Sequence, residues 1–125
     1  MDATILQYRL KQFAYRTVKL SRSLTKELIS EIIIKQLLRS AFSVAANYRA
    51  ACRAQSKKAF ISKLSIALEE MDESYFWIEV IFDLELTVKE KLKDILKEAD
   101  ELTRILSVSR KTAQTKINQS SINKL

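Results

Sequence analysis

The stretch that decides the fold runs from residue 35 to residue 54, KQLLRSAFSVAANYRAACRA. Together with Ile33 just before it, Leu37, Ala41, Val44, Tyr48 and Ala51 form an apolar row. Residues three and four apart share one face of a helix. Gln36, Ser40, Ser43 and Asn47 keep the same spacing and make a polar row beside the apolar one. The pattern predicts a long central helix that buries one face and carries a polar seam along its edge.

Composition extends this reading to the whole chain. Its 125 residues include no Gly, no Pro and no His. Nothing therefore interrupts a helix, and tight turns that need positive φ lack their usual residue. Hairpins between strands depend on such turns. Abundant Leu, Ile, Ala, Lys and Glu favour helix. The expectation is an all-α domain, long enough to bury a real core.

The same absences restrict chemistry. A phosphate-cradling loop or dinucleotide fingerprint needs glycine. Histidine is the commonest general base and metal ligand. Cys52, the one cysteine, cannot make an internal disulfide or a thiolate metal site alone; it reads as a small packed side chain rather than a reactive thiol. The expectations are no enzyme activity, no cofactor and no metal. No charged-then-apolar leader opens the chain and no apolar run is long enough to span a membrane, so a soluble cytoplasmic protein without membrane association is expected.

Four helices follow from periodicity. The first spans about 3–20, with Leu6, Leu10, Phe13, Thr17 and Leu20 on one face. The break at 21–25, rich in Ser and Thr, is expected to cap the second helix, 26–53, about 42 Å long at about 1.5 Å per residue. Ser56 is the expected N-cap of the third helix, which runs to about 84. Its stripe is Phe60, Leu64, Ala67, Met71, Tyr75, Ile78 and Phe82, with Ile61, Leu68 and Trp77 broadening it. This Met and aromatic stripe reads as core. Thr87 and Glu90 have capping-box spacing and are expected to open the fourth helix, whose stripe is Val88, Leu92, Ile95, Ala99, Leu102 and Leu106. Short connections predict an up-down-up-down antiparallel four-helix bundle over 1–117, with 118–125 as a polar, frayed tail.

Charge is unevenly spread. The net charge is +7, divided as +4 over 1–22, +3 over 23–55, −4 over 56–86 and +4 over 87–125. Antiparallel packing would bring Arg49 and Arg53 to one pole with Lys57, Lys58, Arg110, Lys111 and Lys116. Such a cluster can neutralise phosphates and release counterions, giving salt-dependent binding without sequence readout. Cations at helix C-termini also complement the macrodipole. That explains Arg49, Arg53, Arg110 and Lys111 but not Lys57 and Lys58, which begin a helix. The acidic run from Glu69 to Glu73 reads as structural: Asp72 or Glu73 is expected to pair with Arg39, Ser40 or Asn47 between the second and third helices, fixing register.

The residues also carry a resemblance. Leu37, Leu38, Arg39, Ser40, Ala41, Ser43, Val44, Ala46 and Asn47 follow a pattern LLRSA-x-S-[IV]-x-A-N. Ser56, Phe60, Lys63, Leu64, Ile66, Ala67, Glu73 and Trp77 follow its continuation, and ADELTRIL suits a last helix. Over about Phe13 to Thr112 the chain resembles the 23S ribosomal RNA intervening-sequence family. Ala59 stands where that family usually has Asp, and Ala45 where many members have Gly. The resemblance implies a left-turning bundle assembled as a homopentamer. It also implies kinship with accessory bundles of diversity-generating retroelements, in which a basic pentamer binds nucleic acid and a reverse transcriptase. Two functions follow as expectations: an oligomeric protein binding RNA or DNA through the basic pole, or an interaction module docking a protein partner such as a reverse transcriptase.

Overall fold

The computed structural model describes residues 1–123. Four helices account for nearly all of it: α1 (Ala3–Ser21), α2 (Leu28–Cys52), α3 (Lys57–Asp83) and α4 (Glu90–Asn123). α2 packs most extensively on α3, α3 on α4 and α1 on α2, and a lighter contact between α1 and α4 closes the ring. The expected all-α four-helix bundle is the observed architecture.

Burial follows a repeat of three and four in strict alternation. On α3 the buried positions are Leu64, Ala67, Met71, Ser74, Ile78 and Ile81. On α4 they are Leu92, Ile95, Ala99, Leu102 and Leu106. A mean step of about 3.5 residues is the seam of helices that wrap left-handedly around one another. The repeat corrects two positions of the expected α3 stripe. Tyr75 and Phe82 are half-buried at its flank, and Ser74 and Ile81 take the core positions. Val88, expected in the α4 stripe, is exposed. On α2 all six residues of the apolar row are buried.

The helix ends correct other expectations. Ser56 does cap α3, accepting from the Ala59 N–H at 3.1 Å. The 21–25 break does not cap α2. Its hydroxyls instead stitch the two connections at that pole together. Thr25 donates both its N–H, at 2.9 Å, and its hydroxyl, at 3.0 Å, to the Leu86 carbonyl. Ser23 and Thr87 hydroxyls lie 3.1 Å apart. Thr87 is thereby turned away from a capping role, and α4 begins at Glu90 through tight bonds from Lys91 N–H to Val88 O and Leu92 N–H to Lys89 O. Glu85 holds φ 55, the left-handed position after α3 that glycine normally fills. At its other end α4 stays helical through 118–123, beyond the expected limit of the bundle at 117. The last two residues of the expected tail lie outside the described residues.

Among the described residues no helix is long and apolar enough to cross a membrane.

Candidate functional site

Two polar contacts set the frame. Arg9 on α1 forks onto Glu98 of α4, with Nη2 to Oε1 at 2.6 Å and Nε to Oε2 at 3.3 Å. This two-pronged pair fastens the lightest seam of the bundle. Between α2 and α3, Arg39 bonds Glu70 at 3.0 Å and also pairs with Glu73. Glu73 accepts from the Trp77 indole N–H at 3.2 Å as well. Arg39 is half exposed, so this pairing is a surface feature rather than a buried one.

Of the expected α2–α3 network, Arg39, Ser40 and Glu73 do reach across. Asn47 does not: its amide bonds the Ser43 carbonyl and hydroxyl within α2. Asp72 is exposed and makes no side-chain bond among the described residues. Glu70 and Ser74 take the places assigned to them. The physical reason is helix phase: Glu70 and Glu73 face α2, whereas Asp72 points outward between them.

The basic pole is built by chain direction. α1 starts there, α2 ends there, α3 starts there, and α4 passes through it. A pocket of about 710 Å³ opens at this end of the core and draws its lining from all four helices. Leu6, Phe60, Ile105 and Val108 give it apolar walls. Tyr48, Ser109 and Thr112 are the hydroxyl-bearing residues among those that line it. Lys57, Arg104 and Lys116 bring positive charge. Burial, then the neighbouring Cys52 thiol, push the Tyr48 phenol well above its ordinary value, so it stays a neutral O–H group at physiological pH.

The seven predicted cations divide by surroundings. Lys57 and Lys116 share the pocket. Lys58 lines a smaller groove with Ile117 and Ser120 of α4. Arg110 donates to Ser65 on α3. Arg49, Arg53 and Lys111 are exposed at the same end. None of the seven forms an ion pair among the described residues. The sequence supports this isolation: residues 32–68 and 102–125 contain no Asp or Glu.

Three features of the pole escaped the sequence reading. Asp2 lies there and caps α1, accepting from the Thr4 N–H at 2.6 Å. Arg104 lines the pocket while paired with Asp100 at 2.9 Å. The hydroxyls of Ser109 and Thr112 belong to a face of α4 that continues the three-four rhythm after the core stripe ends at Leu106. That rhythm at 105, 109, 112 and 116 was the available signal.

The fold and the pole define a class: a four-helix bundle with one acid-poor, cation-rich end. The family model of the 23S rRNA-intervening sequence protein matches residues 5–108, and the chain belongs to that family. It is also similar to the crystal structure of a protein of unknown function from the S23 ribosomal protein family of Bacteroides thetaiotaomicron. That similarity has a TM-score of 0.81 and 34% identity, covering 89% of this chain and 99% of the other. No curated protein matches the chain.

Proposed function

We propose that the chain is a non-enzymatic, homo-oligomeric nucleic-acid-binding protein that grips phosphates through its basic pole. The observation that carries this reading is the set of seven cations, drawn from α2, α3 and α4 to one end, that form no ion pair among the described residues. Lys57 and Lys58 at the start of α3 add charge to exposed helix N–H groups, a combination suited to anions. Contacts to phosphates serve RNA and DNA alike, so the ligand class is nucleic acid of either kind. The lack of His across the chain supports a binding role rather than a catalytic one. A pentamer, implied by the resemblance, would multiply the positive field and steer a polyanion toward it.

The test is a titration with RNA and DNA of equal length at two salt concentrations, with mass measured by light scattering. Affinity that falls steeply with salt supports the reading. Absence of binding at low salt would overturn it.

A second reading, a module that docks a partner protein, is favoured by the exposed aromatic pair Tyr15 and Phe42, whose ring centroids are 6.2 Å apart. Co-purification of one defined protein after nuclease treatment would support it.

A further inference from the structure

We propose that the pocket at the basic pole takes one unstacked nucleobase, so that the protein selects single strands over duplexes. This rests on the nucleic-acid reading above and names the form of ligand that the pole prefers.

Size, lining and charge point the same way. A volume of about 710 Å³ is in the range of small-ligand sites, roughly 300–1,000 Å³. Leu6, Ile105 and Val108 offer apolar surface to the flat faces of a base, and Phe60 adds an aromatic ring. Tyr48, Ser109 and Thr112 are the hydroxyl-bearing residues of the lining, a side-chain type that both donates to and accepts from the polar edge of a base. Lys57 and Lys116 share the lining, form no ion pair among the described residues and are suited to the phosphates on either side of an inserted base. A purely aliphatic ligand would leave the hydroxyls without use, and a bare phosphate would leave the apolar walls without use. A base joined to phosphates uses both.

Single-strand selection follows from the geometry. A base within a duplex is paired and stacked, and must be pulled out before it can enter. A single strand presents its bases with far less to disrupt. The hydroxyl lining does not distinguish one base pattern, so little sequence preference is expected.

The experiment compares three labelled ligands at one salt concentration: a single strand of mixed sequence, its duplex, and an abasic strand of the same length. The abasic strand keeps the phosphates and lacks the bases. The expected result is affinity at least tenfold higher for the single strand than for the abasic strand. Thr112→Trp, an exposed position whose larger side chain fills the pocket, is expected to shrink that ratio at least fivefold. Circular dichroism checks that the variant keeps its helices, and Val108→Trp repeats the block from a second exposed position. Equal affinity for the normal and abasic strands would overturn the base pocket and leave phosphate binding standing. A ratio unchanged in both Trp variants would also overturn it. Failure of all three ligands to bind would end both readings. Loss of oligomer mass in the Trp variants with an unchanged ratio would assign the pocket to a second copy of the chain and overturn the proposal.

Discussion

Arg110 Nε donates to Ser65 Oγ at 2.7 Å, joining α4 to α3 below the last fully buried α4 residue, Leu106. Past that residue the core no longer holds α4, and polar contact takes over. The bond is exposed, so it adds little to global stability. Its role is to keep the lower part of α4 beside the start of α3. Arg110→Ala is expected to lower global stability by less than about 1 kcal/mol. Amide exchange over 111–123 is expected to accelerate while the core amides stay protected. Hydrogen-exchange mass spectrometry reads both regions at once.

Glu85 closes α3 in a turn made for glycine. Leu86 N–H returns to the Ile81 carbonyl at 3.1 Å and Glu85 N–H to the Phe82 carbonyl at 3.2 Å, with Leu86 buried beside the buried Ile81. This is the Schellman arrangement, and its φ 55 position strains any residue with a Cβ. Glu85→Gly is expected to stabilise the fold by about 1 kcal/mol, raising Tm by roughly 3–5 °C. Thermal melting followed by circular dichroism checks it.

Ser40 and Ser74 put hydroxyls where the repeat calls for core side chains. Ser74 Oγ lies 2.9 Å from both Ser40 Oγ and the Glu70 carbonyl, and Ser40 Oγ lies 3.1 Å from the Leu37 carbonyl. With one proton each, one hydroxyl donates across the helices and the other to its own helix. Ser74→Ala leaves Ser40 a carbonyl to bond, so the loss is expected to stay below about 1 kcal/mol. Ser74→Leu overfills the close approach of α2 and α3, with an expected loss of about 1–3 kcal/mol. Urea denaturation of both variants separates the two effects.

Tyr48 links the pole to alkaline stability. Its folded-state pKa is raised, first by burial and then by Cys52, so the folded state favours the neutral phenol. The unfolded chain ionises this phenol from about pH 10. The contribution is therefore complete below that pH and is lost as pH climbs toward the folded-state value. Urea denaturation at pH 8 and pH 10.5 is expected to show a steeper decline for the parent than for Tyr48→Phe.

Much of the fold was legible because the chain is locally consistent. The α2 row from Ile33 to Ala51 is buried throughout, and Ser56 caps the helix it was expected to cap. On α3, Tyr75 and Phe82 are apolar at helical spacing yet flank the core, because the wrapped seam steps to Ser74 and Ile81. Thr87 has capping-box spacing but meets Ser23 from the other connection, a contact 64 positions away that no local pattern carries. The cations of the pole could be grouped from helix directions alone. The pocket could not, because it depends on α4 continuing past its own core stripe to lie against Leu6, Tyr48 and Phe60.

The most direct test of the basic pole compares charge reversal at the two ends of the bundle. Lys57→Glu, Lys58→Glu and Lys116→Glu combined take the net charge from +7 to +1. Lys19→Glu, Lys26→Glu and Lys91→Glu do the same at the opposite end, where Lys19 and Lys91 line one groove. Affinity for a labelled single-stranded RNA is measured across salt concentrations. The expected result is a loss of about a hundredfold at low salt for the first variant, with the slope of log affinity against log salt flattened by about 2. The second variant is expected to stay within about threefold of the parent. Equal losses in the two variants would contradict the account, because net charge alone would then explain binding.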